Sequence, residues 1–312
     1  MKRILILLLL LSGLGATAEP HRLVVVTAFP HYDWTRQILG PQTNRIGLVL
    51  LQRSGADLHS YRPSAADLRQ IARCDLFIHI GGESDEWVAG ALAQEGNPGR
   101  RVLNLLKALG TAAKSERHIE GMEHEHHDHG KGTPEQDEHI WLSLRNADRL
   151  CAAITDALAA IDPEGAPGYR RNAAAYRAEL AALDRAYADM TAKAVRRTIL
   201  VADRFPFRYL ADDYGLTYFA AFSGCAAESE ASFKTILFLA RKTDELKLPV
   251  ILTLEGTSHR IAETVRDTSR SRNARILALD SLQSVTAAAA DHVTYLDVMR
   301  RNLTTLETAL AR

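Results

Sequence analysis

The sequence predicts an α/β protein of two lobes, each built on a parallel β-sheet flanked by helices, joined by one long rigid linker helix. Short β-rich apolar runs alternate with helical stretches in both halves of the chain. Such alternation is typical of parallel sheets, because each strand needs a crossover before the next parallel strand. Between the halves, apolar residues recur at helical spacing with no strand pattern, which separates the lobes.

The N-terminal lobe is predicted over residues 19–145. Its buried strands are expected to alternate with amphipathic helices. The predicted strands are Leu23–Ala28, Arg45–Leu51, Leu76–Gly81 and Arg101–Leu105, and the predicted helices are Trp34–Leu39, Ala65–Cys74 and Asp85–Glu95.

The C-terminal lobe is predicted over residues 196–312, after a helical linker at 146–195. In the linker, apolar side chains recur every three or four residues from Tyr169 to Ala194, a rod of about 39 Å. We expect one rigid rod to limit hinge closure between the lobes. The predicted strands are Thr198–Ala202, Tyr218–Phe222, Val250–Leu254 and Arg275–Leu279, and the predicted helices are Phe233–Leu246, Ile261–Thr268 and Tyr295–Ala311.

The first 18 residues are predicted to be a cleavable signal peptide. Lys2 and Arg3 precede an apolar run, and Ala16-Thr17-Ala18 has the small-x-small form of a cleavage site. The first cysteine is Cys74, so no lipid anchor is expected after the signal, and the predicted location is the periplasm. Basic and acidic residues are balanced at 38 each, which argues against nucleic acid as a partner. No later run is long enough to span a membrane.

One segment, 111–138, is predicted to be a disordered surface loop because it is almost free of aliphatic side chains and rich in histidine and acid. Neutral imidazoles ligate borderline metals such as zinc. We therefore predict that this loop collects metal weakly, as a secondary site. Its histidines are His118, His124, His126, His127 and His129.

Two further histidines, His59 and His139, stand at helix entries in "GADLHSYRPSAADL" and "DEHIWLSLRNA". Ligand sites of open α/β sheets lie at such positions. Asp57, Asp137 and Glu138 are close enough in sequence to orient the two rings. The chain contains no G-x-S-x-G, Gly-rich phosphate loop or H-E-x-x-H motif.

Together these motifs resemble the cluster A-I solute-binding proteins, the TroA-like zinc and manganese receptors of bacterial ABC importers. The family patterns are G-x-x-x-H-x-[YF]-x-P-[ST] and D-x-H-[IVF]-W-[LM]-[SD], and the similarity covers essentially the whole mature chain. The resemblance implies that His59 and His139 bind the metal from the N-terminal lobe. It also implies that Asp280, in "ARILALDSL", binds it from the C-terminal lobe.

The third ligand departs from the family pattern. The position where the family has its histidine or glutamate is Arg204 in "ADRFPFRYLADDYGL", and a guanidinium cannot bind a metal. The candidates are Asp203, then Glu228, then water, and Glu230 or a Cys225 thiolate could also reach in. Two histidines with two carboxylates would suit Zn²⁺, and also Mn²⁺.

The resemblance implies a monomeric, non-enzymatic binding protein that captures Zn²⁺, or alternatively Mn²⁺, and delivers it to an ABC permease. Two alternatives stay open at this point. One is a periplasmic zinc hydrolase with Glu228 as base, since a catalytic zinc needs an open position. The other is a metal-buffering chaperone whose main site is the histidine-rich loop.

Overall fold

The computed structural model describes residues 22–42, 45–53, 55, 58–123, 136–225 and 230–311. The predicted signal peptide therefore lies outside the described residues. The predicted architecture is confirmed: two four-stranded sheets, with every neighbouring pair of strands parallel, form the cores of two lobes.

The N-terminal sheet consists of β1 (Arg22–Val26), β2 (Ile46–Leu50), β3 (Leu76–His79) and β4 (Arg101–Asn104). Its spatial order is β2-β1-β3-β4. The direction in which strands are added thus changes between β1 and β3, and ligands of such sheets bind where the carboxyl ends diverge. The helices of this lobe are α1 (Phe29–Leu39), α2 (Ala65–Arg73), α3 (Trp87–Leu92) and α4 (Leu105–Leu109).

The C-terminal sheet consists of β5 (Thr198–Phe205), β6 (Thr217–Ser223), β7 (Val250–Leu254) and β8 (Arg275–Leu279), in the equivalent order β6-β5-β7-β8. Strand β5 continues three residues beyond its predicted end at Ala202, and its register against β6 shifts between Val201 and Arg204. Asp203 therefore lies within a strand. The helices are α7 (Arg208–Asp213), α8 (Phe233–Glu245), α9 (Arg260–Thr268), α10 (Ala287–Ala290) and α11 (Tyr295–Leu310).

The linker contains two packed helices, α5 (Leu144–Ile161) and α6 (Ala166–Lys193). The predicted seam lies on α6, where Tyr169, Leu180 and Tyr187 are completely buried. At the corner between the helices, Arg45 donates two hydrogen bonds to Asp162, at 2.9 and 2.7 Å, and the Tyr169 hydroxyl donates a third at 2.6 Å. This polar cluster ties the start of β2 to the linker.

A single apolar cluster includes side chains from both lobes and the linker. Tyr295, at the start of α11, donates its backbone N–H to Asp33 and its hydroxyl to the carbonyl of Trp141. The lobes are thus connected by packing as well as by the chain. Among the helices within the described ranges, none combines the length and the apolar character that a membrane span requires.

Candidate metal centre

The two histidines selected from the sequence meet in the cleft between the lobes. His59 lies on a 3-10 turn, Leu58–Ser60, and His139 immediately precedes another, Ile140–Leu142. Although 80 residues separate them, their Nε2 atoms are 3.3 Å apart. The structure thus brings together the pair that the motifs predicted.

His139 is completely buried and is held by Asp137. The Asp137 carboxylate lies 2.9 Å from Nδ1 and accepts the backbone N–H of His139 at 3.0 Å. Burial alone would lower the pKa of His139, but the hydrogen bond and negative charge of Asp137, with Glu116 and Glu138, outweigh it and raise the pKa. With Nδ1–H donated to the carboxylate, Nε2 presents its lone pair to the cleft.

His59 is held by Ser84, a residue that the sequence did not indicate. The Ser84 hydroxyl lies 2.7 Å from Nδ1 of His59, and the Ser84 backbone N–H donates to Glu138 Oε1 at 2.9 Å. Glu138 Oε2 lies 3.8 Å from the same Nδ1, and burial raises the pKa of Glu138 to about 7. Glu138 therefore lies beside the ring, as predicted, whereas Asp57 is outside the described residues.

Gly82 allows Glu138 to approach so closely. Its φ of 79° lies in the left-handed region, and a Cβ there would come within 2.3 Å of Glu138 Oε1. A side chain at this position would displace the carboxylate that positions Ser84.

The C-terminal lobe contributes Cys225, which follows β6. The Cys225 sulfur and one nitrogen from each of His59 and His139 all lie within 4.8 Å of one another. Gly224 makes this possible, since a Cβ there would lie 2.9 Å from His139 Cε1. Burial and the charge of Glu116 raise the pKa of the Cys225 thiol well above its usual range. All three cysteines of the chain are unpaired.

Gln283, which follows β8, is a second contribution from the described part of this lobe. Its side-chain amide Nε2 lies 3.2 Å from His59 Nε2 and 3.0 Å from His139 Nε2. The residue is only 4% exposed. A lone glutamine carries no metal-ligand signature in sequence, so no motif could have identified it.

Asp280 directly follows β8, as predicted, but its carboxylate is engaged elsewhere. Oδ1 accepts the backbone N–H of Leu282 at 2.8 Å, and Oδ2 lies 3.7 Å from the Arg301 guanidinium. Within the described part of the chain, Asp280 belongs to no group of ligand atoms that includes both histidines. Its turn carries Gln283 to the histidines instead.

Asp203 likewise joins no group of ligand atoms with the two histidines within the described residues. Because β5 extends past it, its carboxylate accepts hydrogen bonds from Thr253 and Thr257 at 3.0 and 2.7 Å, beside β7. Neighbouring Arg204 belongs to the same strand. Glu228, the alternative to Asp203, lies outside the described residues, whereas Glu230 is described but joins no ligand group there.

The predicted loop at 111–138 is folded against the protein at both ends, which differs from the expected surface loop. Glu123 donates its backbone N–H to Ala221 and accepts that of Ser232, while Asp137 and Glu138 are buried. The prediction rested on the low aliphatic content of the whole segment. Its ends are held instead by backbone and carboxylate hydrogen bonds, which need no aliphatic side chains. Of the five loop histidines, His118 is described and His124, His126, His127 and His129 lie outside the described residues.

Known proteins are similar to this chain in sequence and in fold. The family model for the periplasmic component A of the zinc-uptake complex matches residues 24–309. The zinc-binding lipoprotein AdcA of Streptococcus pneumoniae serotype 4 is 31% identical over 288 residues, which cover 91% of this chain and 55% of that protein. The high-affinity zinc uptake system protein ZnuA of Bacillus subtilis is 29% identical over 292 residues, covering 92% and 87%.

Comparison with solved structures leads to the same group of proteins. The crystal structure of the Zn(II)-bound ZnuA-like domain of S. pneumoniae AdcA superposes with a TM-score of 0.72 at 27% identity, covering 93% of this chain and 99% of that domain. The chain spans only 55% of full-length AdcA. The similarity therefore concerns a two-lobe domain of AdcA and nearly all of ZnuA.

Proposed function

We propose that this chain, which belongs to the family of the periplasmic component A of zinc-uptake complexes, captures one Zn²⁺ between its lobes through His59, His139 and Cys225. The observation that carries the proposal is the 3.3 Å separation of the two histidine Nε2 atoms. Two nitrogens bound to one tetrahedral zinc at about 2.0–2.1 Å are about 3.3–3.4 Å apart. The N-terminal lobe therefore presents two ligands at the spacing that zinc requires.

Cys225 replaces the carboxylate expected as third ligand. Its sulfur lies within 4.8 Å of both histidine atoms, and thiolate is a strong zinc ligand. Thiolate suits a borderline ion such as zinc better than manganese, which prefers oxygen. We therefore favour Zn²⁺ over Mn²⁺ as the ion carried.

Delivery to an ABC permease from the periplasm completes the proposed function. Support comes from the family match and from the name of the B. subtilis relative, a high-affinity zinc uptake protein. An exported monomer that binds and releases an ion, without catalysis, fits a buried site in which both imidazoles face the metal position. A buffering chaperone would instead hold several ions weakly.

Calorimetric titration in competition with a chelator tests the assignment. Wild type should bind one Zn²⁺ tightly, and His59→Ala or His139→Ala should weaken that binding by about 100-fold or more, since each removes a direct ligand. His259→Ala, which removes an exposed histidine beside α9, is the matched control and should bind as wild type does. Tight binding that survives the loss of His59 would refute the site.

A further inference from the structure

The side-chain amide of Gln283 faces the metal-side nitrogens of both histidines. We infer that Gln283 is a reversible ligand: its N–H₂ group satisfies the two imidazoles when no ion is bound, and its carbonyl oxygen binds the ion after the amide turns over. This inference rests on the proposed function, because it assigns the closing ligand of the same site.

The geometry is that of three ligands around one ion. His59 Nε2, His139 Nε2 and the Gln283 amide atom form a triangle with sides of 3.3, 3.2 and 3.0 Å. Donor atoms of a tetrahedral zinc site are separated by about 3.3 Å when each is about 2.0 Å from the ion. With Cys225 on the same cleft, the set has four members.

The amide can serve both states because of its chemistry. Where His59 donates its Nδ1–H to the Ser84 hydroxyl and His139 donates its Nδ1–H to Asp137, each Nε2 can accept one of the two N–H groups of the amide. In the opposite orientation the carbonyl oxygen takes the same place. The Ser281 hydroxyl, now 3.0 Å from Gln283 Oε1, can either donate or accept, so it matches both orientations.

The backbone around Gln283 is built to hold this residue in place. Leu282 has a φ of 63°, a left-handed conformation that is unfavourable for a residue with a Cβ. The Asp280 carboxylate stabilises it by accepting the Leu282 N–H at 2.8 Å. Asn302 in turn braces Asp280, accepting its N–H at 2.9 Å and donating to its carbonyl at 2.8 Å.

Contacts with the N-terminal lobe fix the same turn from the other side. The Gln52 side chain donates a hydrogen bond to the backbone carbonyl of Gln283 at 2.9 Å. Trp141 donates its indole N–H to the backbone carbonyl of Ser281 at 2.8 Å. Rotation of the side-chain amide is therefore the smallest movement that exchanges its donor for its acceptor. The backbone can stay in place.

A neutral ligand also sets how firmly the ion is held. Two imidazoles, one thiolate and one amide leave one positive charge of Zn²⁺ uncompensated, whereas a glutamate at this position would cancel it. An amide oxygen is thus compatible with a site that must later give up its ion. We therefore expect a glutamate in place of Gln283 to slow the release of Zn²⁺.

The experiment compares Gln283→Leu, Gln283→Glu and wild type by chelator competition, stopped-flow release and X-ray absorption at the zinc edge. Gln283→Leu should lose about 10–100-fold in affinity, a range seen when support of a metal site is removed, and should lose one light-atom ligand. Gln283→Glu should regain that ligand and release zinc more slowly than wild type. Gln94→Leu, an exposed glutamine, is the control and should match wild type.

Unchanged affinity and zinc coordination in Gln283→Leu would overturn the inference, as would a Gln283→Glu protein that binds more weakly than Gln283→Leu. Thermal melts of the metal-free variants identify any that fail to fold, and the shorter Gln283→Asn then takes the place of the leucine variant. The failure of the proposed function looks different. If the proposed function is wrong, His59→Ala also binds zinc tightly. If His59→Ala loses tight zinc binding but Gln283→Leu keeps it, only the role of Gln283 is rejected.

Discussion

The two halves of the candidate site are built differently. The N-terminal lobe supplies two imidazoles, each held at its second nitrogen by a hydrogen bond of 2.7 or 2.9 Å. The C-terminal lobe supplies Cys225 and Gln283 from loops that follow β6 and β8. The first half is held in place by hydrogen bonds without an ion, and we propose that the second half closes the site and sets its selectivity and release.

Because the two halves are built differently, they should respond differently to substitutions. An oriented histidine depends on its partner, because the hydrogen bond determines which nitrogen faces the metal. A loop ligand depends on the turn that carries it, as Gln283 depends on Asp280 and Leu282. Substitutions in the two halves should therefore give distinguishable effects.

Among substitutions that leave both histidines in place, the largest effect is expected from the C-terminal half. Cys225→Ser should lower zinc affinity on the order of 100-fold, equivalent to about 2.7 kcal/mol, because it replaces a thiolate with a poor ligand. Manganese affinity should change by less than about tenfold, since Mn²⁺ gains little from sulfur. Competition titrations with both ions measure the ratio of zinc affinity to manganese affinity. Equal losses of affinity for the two ions would show that Cys225 acts only through packing.

An intermediate effect is expected from Asp137→Asn in the N-terminal half. Zinc affinity at neutral pH should fall by about 10–100-fold, since the substitution removes the carboxylate that orients the His139 ring. Asp137 helps raise the pKa of His139, so its loss lowers that pKa and reduces competition from protons. Zinc binding should therefore persist to lower pH, relative to its neutral value, than in wild type.

Titration of zinc binding between pH 5 and pH 8, a range in which imidazole protonation changes, measures this shift. In wild type, binding weakens as the pH falls through the raised pKa of His139, because the protonated ring cannot bind metal. An acid midpoint that stays in place or moves upward in Asp137→Asn would contradict the role assigned to this carboxylate.

The smallest effect is expected from Ser84→Ala. His59 loses a neutral hydrogen-bond partner but keeps Glu138 Oε2, 3.8 Å away, so affinity should fall by only about tenfold, near the lower end for such partners. Chelator competition compares it with Ser60→Ala, which removes another hydroxyl next to His59. A loss as large as that of Asp137→Asn would mean that Ser84, rather than a carboxylate, dominates the orientation of the N-terminal half.

Local patterns explain which predictions succeeded. The eight strands, the long helix α6 and the family resemblance are confirmed, since hydrophobic periodicity and short motifs are properties of neighbouring residues. His59 and His139 lie together as the family resemblance implied. Asp137 and Glu138 lie beside these rings, as their closeness in sequence to His139 led us to expect. The family resemblance implied Asp280, and Asp203 was the nearest carboxylate to the position where the family has its third ligand. A motif position cannot reveal a longer strand or a turn that uses the carboxylate internally.

By itself, the sequence determined the two-lobe α/β architecture, because hydrophobic periodicity acts over a few residues, and it identified the histidine pair through the resemblance of two short motifs to one family. Only the tertiary structure decided what the opposite lobe presents to them. That choice depends on the register shift in β5, the left-handed turn at Leu282 and the close approach of Gly224 to His139. Each arises from packing between segments far apart in the chain, where spacing along the sequence carries no information about distance.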